Sequence, residues 1–167
     1  MVEYWLFGKG PSLDTFDQRL AGPERIGINE AALIVADCKY AICLDQPIFD
    51  LYEQQLPADV CLLRCKSRGG DWRHSNELTW EVNDFDRKLQ VGTASIALHL
   101  IAKLSPLGNN KVHFIGFDSL HDAESLGYAE KIKKIGATTA NRDDTYARIN
   151  TCLIRLISLY EIDAEFH

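Results

Sequence analysis

Short apolar runs alternate along most of this chain with stretches of helical period, and that alternation restricts the fold more than any other feature. Residues 3–7 read as a first strand, followed by a short helix near 12–20. Arg25-Ile26-Gly27-Ile28 reads as a second strand that stops at Asn29, with a helical Glu30-to-Ala36 behind it. Tyr40 to Asp45 is a third strand, 47–55 a helix that Pro47 can start, and Val60 to Cys65 a fourth strand. From Thr93 to about Ser105 the apolar residues Ile96, Ala97, Leu100, Ile101 and Leu104 follow helical spacing, closed by Pro106 and Gly108. Lys111 to Asp118 is a fifth strand, 143–160 a last long helix, and Ile162 to Phe166 an edge strand. Strands that alternate with helices build βαβ units. The expected fold is therefore α/β, a mainly parallel central sheet with right-handed crossovers and helices on both faces. A length of 167 residues suits one such domain.

Two polar stretches interrupt the rhythm. Residues 66–90 contain Gly69-Gly70, Trp72 and Trp80 and read as an irregular excursion that includes a short hairpin; about 119–142 forms a second. The two tryptophans fit equally a stacking platform for a sugar or base and a lid whose rings are buried. The formal net charge of −6 argues against duplex nucleic acid as the main ligand. Arg64, Lys66, Arg68 and Arg73 form a local basic cluster that suits either a solvated face or the steering of an anion. No apolar run approaches the roughly 20 residues that span a bilayer, and no leader pattern opens the chain. The five cysteines include no C-x-x-C pair, and four sit in apolar runs. They read as reduced, buried thiols of a cytoplasmic protein.

In a parallel sheet of this kind, ligands bind beyond the carboxyl ends of the strands, near a switch in strand order. The polar strand-end residues fall there: Gly8 to Ser12, Asn29, Asp45 and Gly116 to Asp118. Gly8-Lys9-Gly10-Pro11-Ser12-Leu13 follows the first strand directly. Glycines permit close backbone approach, Pro11 suits a first helical turn, and a helix start offers free N–H groups to a phosphate. Lys9 adds a cation. The run is neither the dinucleotide fingerprint nor the P-loop; a tight strand-to-helix turn with a surface lysine explains it as well.

Taken together, Gly-x-Gly-Pro-Ser-Leu after strand one, Asn29 after strand two, Gly92-Thr93-Ala94-Ser95 opening a helix and Phe114-Ile115-Gly116-Phe117-Asp118 resemble the bacterial lipo-oligosaccharide sialyltransferases. They are also similar to a related family that includes the archaeal 6-hydroxymethylpterin diphosphokinase. The resemblance covers most of the chain in order. It implies a Rossmann-like fold and a nucleotide or sugar-nucleotide donor. By it, Gly8, Gly10 and Ser12 line the phosphate end, and Asn29 hydrogen-bonds the nucleotide. Thr93, Ala94 and Ser95 cap a helix facing the ligand, Gly116 and Asp118 shape the base or ribose pocket, and Tyr128 meets the leaving phosphate. The sialyltransferases carry Asn where this chain has Lys9, a change that favours a di- or triphosphate. They also carry a general-base histidine where this chain reads Asn141 to Tyr146; either Asp144 stands in for it or the base is absent.

Outside the resemblance, His121 in the second excursion is a candidate general base, with an exposed loop histidine as the plainer reading. Asp45 suits a cation or a substrate hydroxyl, or simply a turn. Asp84-Phe85-Asp86 reads as a helix cap rather than a metal motif. His113 reads as structural, and no histidines show metal-ligand spacing, so the sequence names no metal ligands and leaves a divalent metal open. The expected function is a nucleotide- or sugar-nucleotide-dependent transferase, glycosyltransferase-like, acting on an acceptor hydroxyl. Diphosphokinase-type phosphotransfer and a non-catalytic nucleotide-binding module are the alternatives.

Overall fold

A computed structural model describes residues 1–44, 46–65, 77–80, 92–120, 127–135 and 143–167. Its seven strands are β1 (Val2–Phe7), β2 (Arg25–Ile28), β3 (Tyr40–Cys43), β4 (Cys61–Cys65), β5 (Glu77–Trp80), β6 (Asn110–Ile115) and β7 (Asp163–Phe166). They form one sheet in the order β5-β4-β3-β2-β1-β6-β7. Every neighbouring pair is parallel. The described helices are α1 (Ser12–Thr15), α2 (Gln46–Gln55), α3 (Thr93–Leu104), α4 (Glu130–Lys133) and α5 (Asp143–Leu159), with short 3-10 turns at Gln18–Leu20, Asn29–Leu33 and Asp118–Leu120. The fold is the expected Rossmann-like α/β arrangement.

Period-2 alternation along β1 splits the core between the two faces of the sheet. Tyr4 and Leu6 join Ile26, Ile42, Val112 and Phe114 beneath α3 and α5. Trp5 and Phe7 point the other way, to Leu13, Ala41, Tyr52, Leu62 and Ile115, against α1 and α2. All residues of α3 from Thr93 to Ile101 are buried, because α3 is held between the sheet and α5. A helix apolar on every side can be stable only when it is covered in this way. It stops where the sequence said it would. Pro106 follows, Gly108 has φ +71°, and Ser105 Oγ shares a buried 2.7 Å hydrogen bond with the Tyr4 hydroxyl.

Several expected elements are shorter than read. The helix near 12–20 breaks because Phe16 is extended, and the Asp17 side chain then accepts the Arg19 N–H to start a separate turn. The helical stretch from Glu30 to Ala36 is a 3-10 turn over Asn29–Leu33. Asn29 at φ +51° bends the chain sharply out of β2, and Ala32 packs against Gly27 so closely that a Cβ there would collide with its backbone. The fifth strand ends at Ile115 rather than Asp118, because Gly116 turns at φ +76°. Within the first excursion, β5 pairs parallel to β4, whereas a hairpin requires antiparallel neighbours. Trp72, Asp84 to Asp86 and the remainder of that stretch lie outside the described residues.

Cys38, Cys43 and Cys152 are buried free thiols and Cys61 is half-buried. Desolvation pushes the Cys38 thiol up to about 12, against the lowering effect of its backbone hydrogen bonds. No described helix is long and apolar enough to cross a membrane.

Candidate functional site

Strands β1 to β5 march outward in one direction, and β6 and β7 lie on the other side of β1. The order therefore switches between β1 and β6, and the chain leaves both strands through glycines. In such sheets this is where a crevice opens. Gly8 and Gly10 approach Gly116 backbone to backbone. The Gly8 N–H donates to the Ile115 carbonyl at 2.7 Å and the Gly10 N–H to the Gly116 carbonyl at 2.8 Å. A Cβ on Gly8 would lie 2.6 Å from the Gly116 oxygen, and one on Gly10 would overlap the Asp118 carboxylate. Only glycine fits either position.

Ser12 and Asp118 clasp the two turns together. The Ser12 N–H donates to Asp118 Oδ1 at 3.1 Å and its hydroxyl to Asp118 Oδ2 at 3.1 Å. The Gly116 N–H in turn donates to Ser12 Oγ at 2.9 Å. The Asn150 amide holds the turn that carries Asp118, donating to the Ser119 carbonyl at 3.0 Å.

This corrects one part of the sequence reading. Most amides of the turn are not open to a phosphate. Those of Gly8, Gly10 and Ser12 are bonded within the protein, those of Leu13 and Asp14 bond back to Gly10 and Pro11, and Pro11 has none. The carboxylate of Asp118 stands at the Ser12 amide, where an anion would sit. Pro11 is exposed and takes the N-cap position rather than the first helical turn. Helix α1 has only four residues, so its terminal charge is small.

Lys9 is likewise held rather than mobile. Its Nζ lies 3.2 Å from Glu30 Oε2, with 14% and 0% of the two side chains exposed. The same ammonium sits 4.5 Å over the Tyr128 ring, and the Lys9 carbonyl accepts the Ala129 N–H at 2.8 Å. Tyr128 is thus held at the first turn by the cation at position 9. Asp14 fixes the segment that follows, accepting the Glu130 and Lys131 N–H groups at 2.5 and 3.2 Å. These bonds and the Lys131 and Lys133 charges outweigh desolvation, which is the largest single influence and acts upward. They hold the Asp14 carboxyl below its ordinary range.

Asn29 occupies the tip of β2 and is 8% exposed. Its carbonyl accepts the hydroxyl of the fully buried Tyr52 at 2.7 Å. Its side-chain Oδ1 has no hydrogen-bond partner among the described residues. A buried acceptor left in this state costs about 1–3 kcal/mol.

Thr93, Ala94 and Ser95 differ from expectation. The N-cap of α3 is Gly92, which makes no side-chain cap. The three residues after it are buried, with Ser95 Oγ 3.5 Å from Cys152 Sγ. They pack α3 against α5, where a Cβ on Gly92 would lie 2.8 Å from Ile149. Asp144 falls in the first turn of α5, but its side chain is outside the description, as are Asp45 and His121 altogether. Sequence reasoning missed Glu30. It opened the run Glu30 to Ala36 read as a helix, and a lone acid beside so apolar a run was the signal that a buried cation waits nearby.

Comparisons with protein-family models, with curated proteins and with solved structures give no match.

Proposed function

We propose that the protein is a nucleotide- or sugar-nucleotide-dependent transferase, with the donor lying across the switch point between β1 and β6. The observation that carries this reading is Asn29. A buried carboxamide oxygen with no partner among the described residues, on a left-handed residue at a strand tip, needs a donor. A phosphate at neutral pH is chiefly an acceptor; a ribose hydroxyl or a base amine is a donor. Asn29 would therefore hold the nucleoside end. Gly8, Gly10 and Gly116 let the two turns meet backbone to backbone at the switch point, and Lys9, paired with Glu30, would meet the phosphates only by exchanging that partner. The resemblance to the sialyltransferases supports a glycosyl donor, with Asp144 or His121 as the acceptor's base.

The committed amides and the neutralised Lys9 favour a second reading, binding without turnover. They weigh against diphosphokinase-type transfer, which needs strong charge compensation on the phosphates.

The test is a thermal-shift screen with ATP, CTP, GDP, UDP and CMP-, UDP- and GDP-linked sugars on the native chain and on Asn29→Ala. A ligand at a hundred times its Kd stabilises by about 2.7 kcal/mol, which at about 2–4 °C per kcal/mol is a rise of about 5–10 °C. That rise is expected to vanish in Asn29→Ala. A shift of equal size in both proteins, or none with any nucleotide, overturns the proposal. Release of free nucleotide from a sugar donor separates the transferase from the silent binder.

A further inference from the structure

We propose that His113, Glu165 and His167 form a binding site for one divalent transition-metal ion of the zinc class, on the outer strands β6 and β7. The register pairs His113 with Glu165 across the parallel ladder, so both project from the same face. His167 follows Glu165 by two residues and shares that face, with its N–H anchored to the Phe114 carbonyl at 3.0 Å.

The donor atoms converge. His113 Nδ1 and His167 Nε2 are 3.0 Å apart. Glu165 Oε2 lies 3.6 Å from the first and Oε1 lies 3.6 Å from the second. One ligand atom from each residue falls within 4.8 Å of the others. Ligands bound at about 2.1 Å and spread at octahedral or tetrahedral angles are about 3.0–3.4 Å from one another, so the two imidazoles already stand at that spacing. The carboxylate needs only a small inward move.

The setting suits an ion. The His113 ring lies flat on Trp5, with centroids 3.8 Å apart and planes 4° apart, and Phe16 meets the His167 ring edge-on at 5.5 Å. Both imidazoles are thus oriented by aromatic neighbours before any ion arrives. The side chain of His113 is 7% exposed and that of Glu165 45%, giving a closed floor and an open outer side. Three protein donors with one side open to water is the plan of reactive zinc sites rather than structural ones. Two neutral nitrogens facing each other can share one proton at most, whereas a metal ion satisfies both lone pairs. Imidazole with carboxylate suits zinc, cobalt, nickel or iron, and not magnesium, which prefers oxygen alone.

Lys111 opposes the ion. Its Nζ lies 2.6 Å from Glu165 Oε2, so it steadies the carboxylate beside His113 but also competes for its charge. The oxygen facing His167 is Oε1.

The experiment is calorimetric titration of the chelator-treated full chain with Zn2+ and, separately, Mg2+, together with the visible spectrum on adding Co2+. One Zn2+ per chain is expected, with no Mg2+ binding and a Co2+ spectrum free of thiolate charge transfer. His167→Ala and Glu165→Gln each weaken binding by at least about tenfold, on the scale of losses at metal sites, while Lys111→Met tightens it. Both weakening variants lie at the half-exposed rim, so they test the ligands without removing His113 from the Trp5 stack. Absence of Zn2+ binding, or equal affinity in the native chain and both of those variants, overturns the site.

Discussion

Replacing Gly116 by alanine tests the clasp between the first turn and the end of β6. The residue has φ +76°, and placing an L side chain in that region costs about 1–2 kcal/mol. The new methyl would also lie 2.8 Å from both the carbonyl carbon and oxygen of Gly8 and 3.1 Å from the Gly10 nitrogen. All three contacts are backbone atoms, so relief requires the two turns to separate. Separation stretches the Gly10-to-Gly116 and Gly116-to-Ser12 bonds, worth about 1 kcal/mol net apiece. The sum is about 3–4 kcal/mol, or a fall in Tm of about 10 °C for a domain of this size. Urea denaturation followed by far-UV circular dichroism measures it. Gly127→Ala is the control, since among the described residues a Cβ there meets only Pro11 Cγ at 3.7 Å and its effect should stay within about 0.5 kcal/mol. If Gly116→Ala unfolds within about 1 kcal/mol of the native chain, the two turns are not held as described.

Asp14→Asn should cost about 0.3–1 kcal/mol at pH 7, the scale of a carboxylate's charge at a helix start, because the Glu130 and Lys131 amides and the Lys131 and Lys133 charges lose their carboxylate. The folded pKa is depressed, so the contribution is present above the unfolded value of 3.8 and lost as pH falls through the folded one. Stability curves of the native and variant proteins should accordingly converge in acid; a constant gap from pH 7 down to pH 2 would contradict the assignment. Among Cys38, Cys43, Cys61 and Cys152, the half-buried Cys61 should react first with a thiol reagent. Cys38, with its thiol pushed up to about 12, should be labelled only on unfolding. Peptide mass spectrometry after brief labelling distinguishes them, and early modification of Cys38 would contradict its burial.

Much of the fold was readable because apolar runs such as Tyr4 to Phe7 and Val112 to Ile115 have to be covered on both faces, and only flanking helices do that. The helix ends were less legible. Asp17 restarted a turn by bonding Arg19, and Asn29 took a left-handed conformation that favours Asn without demanding it. The candidate site was readable as a set of positions but not as a set of bonds. Nothing near Gly10 announces that the Ser12 amide is spent, since the carboxylate that takes it comes from Asp118, 106 residues away. The histidine cluster was hidden for a related reason. Spacing rules search within one helix or loop, and here two of the donors meet only through the parallel register of β6 and β7.

The central place of β1 has a cost during synthesis. Its first neighbour, β2, is made almost at once, but its other edge has no native partner until residues 110–115 have been made. Until then a nascent chain that has paired β1 with β2 presents an apolar strand with an unpaired rim, the template on which chains join one another. Late closure of this kind slows folding, because a long loop must be ordered before the contact repays it. Expression at high rates or elevated temperature should therefore favour inclusion bodies, and slower translation should favour recovery of the native sheet.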